Sequence, residues 1–267
     1  MFFFTEQKRP VIISSRGIYN VHSRQFKKNF SAFTLAEVLI TLGVIGVVAA
    51  MTIPTLVTNI QHKILQNEFQ KMYSDLNNAA KLFYASEDMT VHDYDVMTAT
   101  SSRGDTILAK YMSFFKGATK SSDKRYDYFD KSHNIKQKNL KGYTDLAYTC
   151  DESNVIQDVN GRIFDMDNSS YNMPFGPKIC VDINGTKAPN RLGYDRFVFV
   201  FTEDNNVVPY TGSNFWGLSE NATDVEEIKT RCNYSSGANG NFCAYFALRN
   251  QSPNGNGDYW HDFLRGK

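Results

Sequence analysis

Between Phe33 and Val57 the chain runs 25 residues with a single charge, Glu37. At about 1.5 Å per residue, a helix of that length spans a bilayer core of roughly 30 Å. Beyond Pro54 the apolar positions Ile60, Ile64, Leu65, Phe69, Met72, Tyr73, Leu76, Ala80 and Phe83 follow helical spacing. That period predicts an amphipathic continuation of the helix to about Glu87, with the stripe packed against the rest of the chain. Pro54 lacks an N–H, so a kink or local melting is expected there. A second helix is predicted over 104–115. Another should begin at Thr223, where Thr223-x-x-Glu226 has the form of a capping box.

Further on, the period shortens. Arg196-Phe-Val-Phe-Val-Phe-Thr202 reads as a strand, and Val207-Val208 after Glu203-Asp-Asn-Asn206 reads as the return arm of a hairpin. Residues 161–166, 178–183 and 242–248 are the remaining strand candidates. The Lys- and Asp-rich stretch 116–142 reads as a solvated loop region, and no internal repeat is visible. The fold class expected is α+β, a long N-terminal helix packed on an antiparallel sheet head.

Charge sharpens the reading of the apolar run. The whole chain has a formal charge of +1, yet residues 1–32 carry Lys8, Arg9, Arg16, Arg24, Lys27 and Lys28 against Glu6 alone. A basic head, an apolar span and an acidic body are the asymmetry of a membrane-targeted chain, with the N-terminus in the cytoplasm. An acidic body also argues against nucleic acid as its default partner. A secretory signal peptide cut after Val48-Ala49-Ala50 is one competing reading, but its apolar region normally runs about 7–15 residues. A plain membrane anchor would leave Glu37 without a purpose. A buried soluble helix is disfavoured by the length and the basic flank.

Glu37 calls for a partner, because a carboxylate in hydrocarbon costs on the order of a few kcal/mol. A cut between Ala32 and Phe33 would create an α-amine four residues before it, with an ordinary pKa near 8. In a bundle of such helices, the amine of one subunit could neutralise Glu37 of the next and fix their axial register. Ala32-Phe33-Thr34-Leu35-Ala36-Glu37 ahead of an apolar helix resembles the class III signal of type IV prepilins and type II secretion pseudopilins. The resemblance covers residues 32–57, roughly a tenth of the chain. It implies a membrane peptidase that cuts between Ala32 and Phe33 and methylates the new amine. It also makes Glu37 the assembly glutamate, and Pro54 matches the proline that interrupts the family's long helix. The family usually has Gly where Ala32 stands. The leader is longer than most, and whether Met1 is the natural start is left open.

The implied organisation is a basic leader over 1–32, a membrane and assembly helix over 33–57, its amphipathic continuation over 58–88, and an extracytoplasmic head over 89–267. The implied function is that of a structural filament subunit. Its partners would be copies of itself or other pilins, the prepilin peptidase, the membrane, and the pilus or secretion assembly machinery. A minor tip subunit whose head binds a surface, a sugar or DNA is the alternative, and a membrane-tethered enzyme a third reading.

Four cysteines, Cys150, Cys180, Cys232 and Cys243, lie downstream of the apolar run. In an exported domain they read as two disulfides, and no Cys-x-x-Cys pair suggests zinc. Of the three connectivities, Cys150–Cys180 with Cys232–Cys243 has the shortest loops; the other two stay open. The segment Asp182-Ile-Asn184-Gly185 through Asp195 concentrates oxygen side chains around turn residues. Asp182, Asn184 and Asp195 are therefore candidate ligands for a structural calcium. Position 193 is Gly, so the carboxylate that ends an EF-hand loop is missing, and an ordinary Asn-Gly turn is the competing reading. None of the five histidines, His22, His62, His92, His133 and His261, sits in a zinc-like pair. No nucleophile elbow, Walker loop or dinucleotide fingerprint appears, so no catalytic residue and no organic cofactor is expected. Asn214-Phe-Trp216 and Tyr259-Trp260-His261 read as core or fold-closing aromatics more readily than as a ligand surface.

Overall fold

The computed structural model describes residues 33–98, 103–125, 127–143, 150, 153–167, 175–212, 224–234 and 240–266. The chain divides into two units, 1–50 and 51–267. Helix α1 (Leu35–Glu87) begins in the first and ends in the second. In the first unit every described side chain from Phe33 to Val48 is exposed. Among the described residues, α1 is the one helix long and apolar enough to cross a membrane. The helix is continuous across Pro54, so local melting does not occur there.

In the second unit, six strands form one antiparallel sheet in the order in which they occur along the chain. These are β1 (Thr119–Lys124), β2 (Asn154–Gln157), β3 (Ile163–Asp167), β4 (Phe175–Asp182), β5 (Arg196–Thr202) and β6 (Val207–Pro209). Short helices α2 (Val91–Met97) and α3 (Arg103–Met112) follow α1, and α4 (Val225–Lys229) and α5 (Cys243–Arg249) follow the sheet. A long helix with an antiparallel sheet is the α+β arrangement expected of a pilin-like chain.

The two faces of the sheet differ in chemistry. Because side chains alternate along a strand, Phe164, Met166, Ile179, Val181, Phe197, Phe199 and Phe201 share one face. All are buried. That face meets the stripe Leu65, Phe69, Met72, Leu76, Ala80 and Phe83 of α1, whose spacing of three and four puts them on one side of the helix. Phe69 is the central contact, with ring centroids 4.6 Å from Phe197 and 5.4 Å from Trp260. Ile60 and Ile64, the first positions of the predicted stripe, are half exposed instead.

The opposite face carries Asp165, Asp167, Lys178, Cys180, Asp182 and Arg196. It too is largely buried, with Asp165 and Asp182 fully so. Residues of the stretch 116–142 take part in burying it. Arg125 is fully buried and ion-paired to Asp165, and Phe129 clusters with Val155 and Ile163. The solvated-loop expectation for 116–142 is thus corrected. The stretch contains an edge strand, β1, and supplies the buried side chains Arg125, Phe129, Gln137 and Leu140. Its polar composition hid it, since an edge strand needs no apolar alternation and Arg125 is neutralised by its partner.

Two other expectations change. Residues 242–248 were expected as a strand, but α5 occupies 243–249. The buried residues Cys243, Ala244, Phe246 and Ala247 recur three and four apart, so one helical side meets the core. The helix expected from Thr223 is capped by Asp224, whose Oδ1 accepts from the backbone N–H of Glu226 at 3.0 Å. Thr223 lies outside the described residues.

Candidate functional site

The start of α1 shows how the lone carboxylate of the apolar segment is held. Thr34 precedes the first helical residue, and its hydroxyl accepts from the Glu37 backbone N–H at 3.2 Å. In return, the Glu37 carboxylate accepts from the Thr34 backbone N–H and from its hydroxyl, each at 2.8 Å. This reciprocal capping box satisfies two donors that a helix start otherwise leaves orphaned. The Thr34-x-x-Glu37 spacing is the local signal for it. Glu37 and Phe33 are both exposed, with Phe33 at 84%. Ala32, on the other side of the expected cut, lies outside the described residues. Further along, the Thr58 hydroxyl donates to the Pro54 carbonyl at 2.9 Å.

Residues 27–53 match the family model of the prokaryotic N-terminal methylation motif. The chain carries a class III signal. This is the signal of type IV pilins and pseudopilins, and it supports a precursor of pilin type. No curated protein matches the chain, and no solved structure does. The motif is generally that of structural subunits that are processed by a prepilin peptidase and assemble with other pilins. Together with the apolar helix it fits a single-pass precursor in the inner membrane.

In the head the cysteines form two disulfides, Cys150–Cys180 and Cys232–Cys243, with Cα atoms 6.0 and 5.0 Å apart. Cys180 faces Asp165 directly across β3 and β4, so the first bond lies over the buried ionic face.

Asp182 and Asp195 are both fully buried. Burial and the nearby Asp195 carboxylate push Asp182 well above the usual carboxylate range, against the pull of Arg196 and Arg125. Burial likewise raises Asp195, although its oxygens accept the backbone N–H groups of Asn190 at 2.8 Å and Arg191 at 2.6 Å. Asn184 also hydrogen-bonds to it. The Asn184 backbone N–H approaches Asp182, but neither oxygen of Asp182 has a well-formed hydrogen bond, nor do Oδ1 of Asn184 and Oδ1 of Asn190. In type these orphaned oxygens fit a hard cation, which takes about six to eight oxygens including waters. The competitor is the guanidinium of Arg196, which sits opposite Asp182 in the strand register.

The other candidates separate. Tyr259 and Trp260 are buried, and Trp260 Nε1 donates to the Ala247 carbonyl at 3.1 Å, so they close the core. Asn214 and Trp216 lie outside the described residues. His62 and His92 are buried, while His133 and His261 are exposed. Asp258, His261 and Asp262 lie close together. Their oxygens are engaged in the turn itself, Asp258 accepting from His261 N–H at 2.7 Å and Asp262 from Asp258 N–H at 3.0 Å. Sequence reasoning missed Arg125, Asp165 and Arg196. For Asp165 and Arg196 the available signal was charge in otherwise apolar strands; Arg125 follows a polar edge strand and carried none.

Proposed function

We propose that this chain is a structural subunit, a pilin or pseudopilin, of a type IV pilus or a type II secretion-like filament. The observation that carries the proposal is the methylation motif set on a helix whose apolar side chains from Phe33 to Val57 are uncovered. A helix in that state is covered by lipid in the precursor and by neighbouring helices in a filament. On this reading a prepilin peptidase cuts between Ala32 and Phe33 and methylates the Phe33 amine. The leader faces the cytoplasm because its cations precede the span, and the head lies outside. Two disulfides in the head support an oxidising compartment. Glu37 then exchanges its Thr34 contacts for the terminal amine of a neighbour. We also propose that Asp182 and Asn184, with Asp195 behind them, hold a structural calcium ion.

Glu37→Ala tests the assembly role. The variant should insert and be cleaved, with Phe33 as the first residue of the intact mature mass, while filaments fall to background in sheared fractions. Normal filament yield would refute the role of Glu37, and a mature start at Met51 would refute the pilin reading.

A further inference from the structure

A cavity of about 550 Å³ lies between α1 and the loop that follows β4. On the helix side its rim begins at Thr58, the residue after the apolar run, and continues through Gln61 and His62. At about 1.5 Å per residue these three stand roughly 1.5–7.5 Å beyond Val57. The headgroup layer on each side of a bilayer is about 5–7 Å deep, the difference between a 30 Å core and a 40–45 Å membrane. The near rim of the cavity therefore falls at headgroup depth.

We propose that this cavity binds the phosphate-bearing headgroup of an anionic phospholipid in the outer leaflet of the membrane that α1 crosses. Charge supports that choice. The loop contributes Lys187 and Arg191, and the single carboxylate in the lining is Glu68, which feels the charge of Lys187. Lys187 makes no contact ion pair among the described residues. Arg191 is fixed rather than neutralised: Nε donates to the Leu140 carbonyl at 2.7 Å, and its guanidinium lies 5.1 Å from the centre of the Tyr194 ring. Nη2 donates to the same carbonyl, and among the described residues Nη1 has no acceptor. Half-exposed Ile60 and Ile64 on the same stretch of helix give a lipid's glycerol end an apolar surface beside the cations. Paired apolar and cationic groups at an interface are the ordinary recipe for holding an anionic lipid.

The inference rests on reading 33–57 as the membrane segment, and the test separates the two. The full chain is purified in uncharged detergent doped with equal phosphatidylglycerol and phosphatidylcholine, and co-eluting lipid is quantified by mass spectrometry. Phosphatidylglycerol should be retained several-fold over phosphatidylcholine. Lys187→Gln should reduce that retention about fivefold, the share of one lysine near a surface. Lys116→Gln, on an exposed lysine elsewhere, should leave it unchanged. Equal retention of both lipids, or a Lys187→Gln variant that binds as the parent does, would overturn the proposal. So would complete displacement of the lipid by 10 mM inorganic phosphate, which would mark a free-phosphate site. Lost self-association with unchanged lipid selectivity would also overturn it, by marking a contact between subunits. A chain that stays monomeric and lipid-free without detergent would instead refute the membrane reading itself.

Discussion

Replacing Asp165 by asparagine probes the buried ionic face of the sheet. Three fully buried carboxylates, Asp165, Asp182 and Asp195, face two buried guanidiniums, Arg125 and Arg196. Fully ionised, the layer would carry one excess negative charge; burial, with the Asp195 carboxylate nearby, favours the protonated form of Asp182. Burial raises Asp165 to about 6, outweighing the attraction of Arg125 and Arg196. A folded-state pKa above the ordinary 3.8 means that the folded chain holds this proton more tightly than the unfolded chain. The corresponding stability is full below about pH 4 and is lost as pH rises through 6. At 1.36 kcal/mol per pKa unit, the loss is about 3 kcal/mol. Asp165→Asn should be close to neutral at pH 4 and more stable than the parent by up to about 3 kcal/mol at pH 7. Arg125→Met should do the opposite, leaving three carboxylates against one guanidinium at a cost of about 3–5 kcal/mol at pH 7. Urea unfolding of the oxidised chain in uncharged detergent, followed by tryptophan fluorescence at both pH values, measures each difference. A loss of several kcal/mol for Asp165→Asn at pH 7 would show that the ion pair outweighs burial, and the reasoning would fail.

Phe69→Ala should cost about 3–5 kcal/mol, because a fully buried ring at the centre of the helix–sheet contact is replaced by a cavity; the same unfolding assay checks it. Millimolar calcium should raise the midpoint of thermal unfolding of the parent but not of Asp182→Asn. An identical midpoint with calcium and with chelator would remove the calcium proposal.

How much of this was legible in the sequence depended on whether a pattern was local. The apolar run, the stripe from Leu65 to Phe83 and the alternation of β5 each announce themselves within one unbroken stretch of chain. The motif around Phe33 and Glu37 is local too. By contrast, β1 and Arg125 acquire meaning only when β2 and β3 are beside them, and nothing in Thr-Lys-Ser-Ser-Asp-Lys marks an edge strand. Residues 242–248 failed for a different reason: a short apolar segment suits strand or helix equally until its neighbours decide. The cavity joins residues more than a hundred positions apart, so spacing along the chain could not reveal it.

The Cys150–Cys180 bond links these threads, because Cys180 lies opposite Asp165 and its partner closes over the same face. If that cover excludes water, it is also part of why burial raises Asp165. Removing it with paired Cys150→Ser and Cys180→Ser substitutions should lower overall stability by about 3.5 kcal/mol through the 30-residue loop it closes. That loss alone is ambiguous, since it arises largely in the unfolded chain. The pH dependence is not ambiguous. Water admitted to the ionic face should draw Asp165 back toward its ordinary value, so the fall in stability between pH 4 and pH 6 should shrink. Subtracting the Asp165→Asn curve in each background isolates this residue from Asp182 and Asp195. A difference curve unchanged by loss of the disulfide would show that β3, β4 and Arg125 keep Asp165 dry without it.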